Sequence, residues 1–543
     1  MEIWPQLLKL YNPKQVYNWL AEFQLRVNKG ALVRQYVASM SSKMYHLEEI
    51  QDSSLAEMEA MMNDHERSYH FIMDELINKG NPLRNSDLTE VYYAEKLVCC
   101  LKKQQLKKFW NNFKQIPPEE QLLEKGAVFV AKWIQSSMAV SPVLVSRQLD
   151  LLAGAVREVL RSRHPFHSIF STSLDLVEQW KQKALTDNQF GPSECQQVLV
   201  ALGEVIFNHN GFYTDNNMHY NVDNACINMV LDRCQGSPII ICIIYESVAR
   251  RLGVKCDTLS LPEHFLLRWK ESYTCEKSSL DSVPYFYIDV FNQGKFLNLR
   301  SCPRFSTGSQ CPMQKKSKPA ATTFEVVERL ANNLEVACRQ RTLNRNARLR
   351  NALELIHLVN PRDIHCLLKL ARLYMLSNMD IKHLMICLTS LYNELSLDDR
   401  NRLRPNMQVF QTYTDSRANE DNNPPPIIPN PHIDGVDYAV GMIMRHQHLN
   451  YTCVIYGWDP LCSASEQWML QMGVDQLALK GNQPFYNVLV ADGTSRYAAQ
   501  DSQGWWAQRL LPSLIEAREA MQGFALPPSE MYYKDPSVAY IND

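Results

Sequence analysis

The sequence predicts an α+β, multi-domain protein that is mostly helical towards its N-terminus and ends in a small β-barrel. Apolar residues recur at helical spacing between positions 7 and 23, as an amphipathic helix requires. Beyond position 436, short runs of β-branched and aromatic residues take over, and Asp492-Gly493 between two of them is a hairpin signal. The polar, proline-rich run 419–426 lies between these parts and is typical of an extended linker.

These patterns divide the chain of 543 residues into five parts. The parts are a helical N-terminal region, a mixed core, helical hairpins similar to tetratricopeptide repeats, the linker and a β domain, at residues 1–145, 146–325, 326–410, 411–435 and 436–535. Within the hairpin region, the apolar runs 347–358 and 367–376 flank a turn at Asn360-Pro361. The four residues Gly457-Trp458-Asp459-Pro460 predict a tight turn in the β domain.

Composition excludes several classes of protein. A net charge of −2 gives no electrostatic reason for a polyanion partner. No apolar stretch is long enough to span a membrane, and the start lacks the regions of a signal peptide, so we expect no membrane partner and a cytoplasmic or nuclear location. The 15 cysteines are scattered without Cys-x-x-Cys spacing, so we expect reduced thiols, no metal site and no cofactor.

The stretch 233–289 organises the rest of the chain. Gly236-Ser237-Pro238 begins an apolar helix, His264 precedes an aromatic strand, and Asp289 ends a later strand. A nucleophile at a helix N-terminus, followed by His and then Asp, is the plan of papain-like and transglutaminase-like enzymes.

Four motifs in this stretch, at 233–239, 249–254, 261–268 and 287–291, resemble the bacterial transglutaminase-like core that is joined to tetratricopeptide-type helices. The resemblance implies a cysteine whose pKa the helix dipole lowers. That place falls near Ile239, which cannot attack a carbonyl, so we expect a degenerate core with no catalytic residue. His264 and Asp289 then remain as a structural pair.

Two cysteines keep an enzymatic alternative open. Cys242 lies one turn further along the helix and is interpreted as a small buried side chain, whereas Cys234 lies before the turn. If either acts with His264, the protein is a residual cysteine protease or transglutaminase.

Segments 440–446, 457–459, 483–489 and 497–500 resemble the hemimethylated-DNA-binding family, which is also called YccV- or HspQ-like. The resemblance implies DNA or a protein as the partner of residues 436–505. Candidate binding residues are Arg445, Tyr456, Trp458, Tyr486, Arg496 and Tyr497. The two arginines are opposed by five acidic residues, so support for DNA is weak, and each aromatic residue is equally suited to a barrel core.

The order of the two domains, with the N-terminal pattern Trp4-Pro5 to Trp19-Leu20, resembles a family of F-box proteins. Such relatives dock on a cullin-RING ubiquitin ligase through an F-box and present protein substrates. We expect the F-box to precede Trp4, where this chain has no such segment, so the ligase scaffold is a partner only if an F-box is present. The resemblance implies a non-catalytic substrate-recognition protein, with DNA binding as the alternative.

Overall fold

The computed structural model separates the chain into two compact units, one of residues 1–101 and 371–543 and the other of residues 102–370. The residues that it describes are 18–44, 49–50, 52–80, 87–136, 140–214, 221–261, 264–274, 283–297, 319–339, 345–377, 379–422, 435–438, 442–446, 451–490, 494–500 and 505–507. Most of the N-terminal pattern and the pair Asp492-Gly493 lie outside them. No helix in these ranges is both long enough and apolar enough to cross a bilayer.

Helices dominate both units. Their bounds are α1 Trp19–Met44, α2 Ala56–Asn63, α3 Ser68–Gly80, α4 Leu88–Phe113, α5 Leu123–Ile134, α6 Pro142–Arg163, α7 Leu174–Gln182, α8 Pro192–Gly203, α9 Ile227–Arg233, α10 Pro238–Arg251, α11 Thr323–Cys338, α12 Arg345–Val359, α13 Ile364–Leu376, α14 Lys382–Glu394 and α15 Leu397–Asn422. In the first unit, α1 to α4 enclose a core around Val37, Leu55, Ile72 and Leu97. The apolar runs 347–358 and 367–376 lie in helices α12 and α13, and their assignment to a tetratricopeptide-like hairpin remains a prediction.

Helix α10 is the centre of the second unit. It is buried nearly all round, because α5, α6, α7, α8 and the strand that follows it pack on different sides of it. Pro238 fits its first turn, where the missing amide hydrogen has no partner to lose. Gly253 ends it at φ +76°, and a Cβ at that position would lie 2.9 Å from ring carbons of Phe190 and Trp180, so only glycine fits there.

A four-stranded antiparallel sheet, ordered β1-β2-β3-β4, follows α10. Its strands are β1 Asp257–Ser260, β2 Phe265–Lys270, β3 Tyr285–Asp289 and β4 Lys295–Leu297. Leu267 pairs with Ile288 and both are fully buried, so one face of the sheet contributes to the core under α10. The two strands that the aromatic residues predicted are therefore present.

A buried ion network holds the C-terminal end of α10. Glu124 of α5 accepts hydrogen bonds from Arg250 (2.9 Å) and from Nη2 of Arg251 (3.0 Å). Arg251 also donates to Asp150 of α6 at 2.9 Å, and Arg250 donates to the carbonyl oxygen of Trp180 on α7. Because the two arginines are only 2% and 3% exposed, their charges depend on these partners.

The C-terminal region forms a five-stranded antiparallel sheet in the order β8-β7-β6-β5-β9. Its strands are β5 Ile443–His446, β6 Thr452–Asp459, β7 Phe485–Val490, β8 Ser495–Ala499 and β9 Trp505–Ala507, with the short helix α16 Glu466–Gln471 between β6 and β7. The predicted turn at 457–460 is wrong, since β6 continues to Asp459 through a bulge between Ile455 and Gly457. Closure of this sheet into a barrel stays a prediction.

The predicted linker is helical in its first part. Helix α15 runs to Asn422, because residues 411–422 contain neither proline nor glycine to end it. Residues 423–434 lie outside the described part of the chain. The bounds of the five predicted parts remain predictions.

Candidate functional site

The first turn of α10 contains the position near Ile239 at which the resemblance predicts a nucleophile. Ser237 is the N-cap residue, Pro238 is the first helical residue and Ile239 is the second. Ile239 is 1% exposed, so an aliphatic side chain occupies a dry position at the positive end of the helix dipole. Gly236 is required just before it, since a Cβ there would lie 2.5 Å from a methyl carbon of Val230.

Cys242 is one turn further along the helix and is fully buried. Its thiol donates to the carbonyl oxygen of Phe265, the residue after His264, over 3.8 Å. Burial raises the pKa of this thiol well above its usual value, and the negative charge of Asp289 raises it further. The thiol is therefore neutral at physiological pH, which is the opposite of an activated nucleophile.

Cys234 occupies the C-cap of α9 in a left-handed conformation, at φ 55°. Its carbonyl oxygen accepts a hydrogen bond of 3.0 Å from the amide of Tyr213, which fixes the chain ahead of α10. Burial first, and then the charge of Asp232, raise the pKa of the Cys234 thiol. Neither candidate cysteine has the lowered pKa that acyl transfer needs.

Asp289 ends β3 and is 5% exposed. One carboxylate oxygen accepts from the amide of Phe291 at 3.0 Å, and the other accepts from the side-chain amide of Asn292. Its carbonyl oxygen accepts from Gly294 at 2.9 Å. Asp289 thus caps the turn that leads into β4, which is a structural role.

His264 is half-buried and immediately precedes β2. Its backbone amide and carbonyl both pair with Leu261, at 3.3 and 2.9 Å, and close a tight turn. Arg329 of α11 holds this turn, because it donates to the Leu261 carbonyl and, at 2.9 Å, to the hydroxyl of Ser260. Sequence reasoning missed Arg329, which lies 65 positions from His264 and belongs to no motif.

Cys242 on α10 lies near two further predicted positions of the core, the His264 strand and Asp289. Cys242 contacts the residue beside His264 and is close enough to Asp289 for its charge to act on the thiol. This part of the structure contains a His and an Asp near α10, and the first turn of that helix carries an isoleucine.

Three of the six candidate binding residues of the C-terminal sheet serve its own structure. Tyr486 is 1% exposed, donates its hydroxyl to the side chain of Gln500 and accepts from the amide of Tyr438. Tyr497 donates to a carboxylate oxygen of Asp459 at 2.6 Å. Trp458 packs against the apolar cluster on one face of the sheet.

The other three candidates are Arg496, Tyr456 and Arg445, of which only Arg445 is exposed. The guanidinium of Arg496 lies 4.3 Å from the ring centre of Tyr451, which is a cation–π contact. The hydroxyl of Tyr456 shares a hydrogen bond of 2.8 Å with Ser495, and Arg445 is exposed on β5. Sequence reasoning missed Tyr451, whose contact with Arg496 depends on strand pairing.

Charge in this region does not favour nucleic acid. Residues 436–504 contain six acidic and three basic residues, a net charge of −3. Phosphate binding requires several converging cations, and no such stripe occurs among the described residues of the sheet.

Comparison with known families agrees with this architecture. The transglutaminase-like superfamily matches residues 144–332, and the family described as hemimethylated DNA-binding protein YccV like matches residues 436–504. A UPF0162 protein of Xylella fastidiosa is 26% identical over 206 residues, which are 37% of this chain and 59% of that protein.

Similarity extends over nearly the whole chain in one group of relatives. F-box only protein 21 of Pongo abelii is 30% identical over 509 residues, which cover 92% of this chain and 77% of that protein. The chain belongs to the F-box only protein 21 family. Human F-box only protein 21 is 29% identical over 523 residues and is covered to 78%. No solved structure gives a significant match to this member of the family.

Proposed function

We propose that this protein is a non-catalytic substrate-recognition protein that acts with a cullin-RING ubiquitin ligase in ubiquitin-dependent protein degradation. The observation that supports a non-catalytic role most directly is the burial of Ile239, at the position where we expect the nucleophile of a transglutaminase-like core. Membership of a family of F-box proteins supports the ligase as the partner.

The transglutaminase-like core then acts as a scaffold. Acyl transfer needs a thiolate next to a base, and the pKa values of both nearby thiols are raised. Asp289 is committed to capping its own turn, so it is not free to serve only as the orienting residue of a histidine. Proteins are the substrates that such a scaffold presents, and no cofactor is required.

Co-precipitation tests the adaptor role. We would tag the full chain and probe the precipitate for the cullin, with an unrelated tagged protein as the control. The cullin is expected with the full chain and not with the control. If the full chain does not retain the cullin, the adaptor role is wrong.

DNA binding by residues 436–504 is the second candidate, because the matching family carries that description. The contact between Arg496 and Tyr451 is the part of the sheet best suited to a base or phosphate. Gel shifts of the full chain with hemimethylated and unmethylated duplexes, at several salt concentrations, test it. Tight binding that weakens steeply with salt and is lost in Arg496→Ala would favour this candidate over the adaptor.

A further inference from the structure

Four large apolar side chains project into solvent from the segment between β6 and β7, residues 460–484. Leu461 is 57% exposed, Leu470 72%, Met472 64% and Leu479 57%. We call these four side chains the apolar patch. Single exposed leucines are ordinary on protein surfaces, but four within nineteen residues are a concentration that marks interaction sites.

The segment that carries the apolar patch is folded and anchored. Its inward side chains Cys462, Trp468, Met469 and Leu477 pack against a buried cluster that includes Phe485 of β7. A hydrogen bond of 3.0 Å from the amide of Cys462 to the carbonyl of Gly481 joins its two ends. These inward side chains already pack the segment, so its fold does not depend on the apolar patch.

The same contacts bring together the parts of the segment that carry the apolar patch. Leu461 adjoins Cys462 and Leu479 lies two residues before Gly481, so the hydrogen bond between these residues brings the two leucines near each other. A Cβ at Gly481 would lie 3.5 Å from the sulfur of Met469, which directly precedes Leu470 in α16. Leu461, Leu470 and Leu479 therefore lie at backbone positions that are near one another, and Met472 follows two residues after Leu470.

The charged side chains on the same segment indicate which kind of partner the apolar patch binds. Glu466 and Asp475 are exposed on the segment, against one exposed cation, Lys480. This excess of one negative charge favours lysine and arginine over the phosphates of nucleic acid. A basic amphipathic helix has apolar side chains along one face and cations beside them, so it fits such a surface.

We infer that the apolar patch docks a basic amphipathic segment of a partner protein, with leucine-like side chains at helical spacing and lysine or arginine beside them. The inference deepens the proposed function and rests on it, since it names the feature of a substrate that is recognised. Leucine and methionine side chains suit this task because they adapt to different apolar partners.

The probe is a fluorescein-labelled, 18-residue peptide with leucine at helical spacing and lysine elsewhere, compared with the same peptide carrying glutamate in place of lysine. Fluorescence anisotropy with the full chain is expected to show binding of the lysine peptide and at least tenfold weaker binding of the glutamate peptide. The double variant Leu470→Ser/Met472→Ser should weaken binding of the lysine peptide by about tenfold or more.

The matched control is Leu376→Ser/Leu397→Ser, two leucines that are each 73% exposed and lie outside the segment. This variant should bind the lysine peptide as the unchanged chain does. Hydrogen exchange gives a second readout, since residues 460–484 should become protected when the lysine peptide binds. Melting curves of both variants verify that they fold.

Equal binding of the two peptides, or an unchanged affinity in Leu470→Ser/Met472→Ser, would overturn the inference. So would a labelled DNA duplex that binds the full chain more tightly than the lysine peptide and is weakened by Leu470→Ser/Met472→Ser. Failure of the proposed function would give a different result. The precipitate would contain no cullin, while the lysine peptide would still bind the apolar patch.

Discussion

Replacing Glu124 by alanine tests the ion network at the end of α10. The substitution removes the carboxylate that faces both Arg250 and Arg251 and leaves two charges that are 2% and 3% exposed. Breaking a buried ion pair from one side costs about 3–5 kcal/mol, because the remaining charge stays buried without its partner. Asp150 and Glu246 still approach the two arginines, so we expect the lower end, about 3 kcal/mol.

Calorimetry of the full chain measures this loss. In a unit of this size, about 3 kcal/mol corresponds to a fall in Tm of roughly 6–12 °C. The matched control is Glu158→Ala, since Glu158 forms an exposed pair with Arg161 at 2.7 Å and is expected to change stability by less than about 0.5 kcal/mol. If Glu124→Ala costs less than about 1 kcal/mol, the two arginines do not depend on Glu124 and the reasoning fails.

Three further predictions concern thiols, glycines and the His264 turn. Iodoacetamide should leave Cys242 unlabelled in the native protein and should label Cys234 slowly. The labelling rate of Cys234 should still rise above pH 9, because the pKa of its thiol is raised. Fast labelling of either cysteine at neutral pH, read by mass spectrometry, would contradict this. In thermal melts, Gly253→Ala should lower the free energy of unfolding by about 2 kcal/mol, because the residue has φ +76° and the new Cβ would clash. Gly154→Ala, with open space around it, should stabilise α6 by up to about 1 kcal/mol. Equal effects of the two substitutions would refute this reasoning. Arg329→Ala should speed amide hydrogen exchange in the turn that ends at His264, while unchanged exchange there would show that Arg329 does not hold it.

Local signals predicted the parts of the core whose structure is set locally. Pro238 at a helix start and Gly253 at a helix end each impose a backbone conformation on their own, so both ends of α10 were predictable. The aromatic runs that became β2 and β3 are also local, since such side chains favour strands wherever a sheet is available.

Features that depend on distant residues were not predictable. The turn predicted at 457–460 is wrong because pairing with β7 extends β6 through a bulge, and a bulge has no strong signal in one strand alone. The ion network joins Glu124 to residues 126 and 127 positions away, which no motif connects. At the candidate site, Tyr486 was named as a possible binding residue, yet strand pairing places it in the core.

The buried start of α10 has a consequence for any attempt to create an enzyme from this scaffold. An Ile239→Cys exchange alone would place sulfur in a pocket without water, where the uncharged form is favoured, as it is for Cys242. Gaining hydrolysis would require reshaping the surroundings as well, so that solvent reaches the new side chain. Acyl transfer on this scaffold therefore requires several substitutions, and a single exchange at position 239 is not enough.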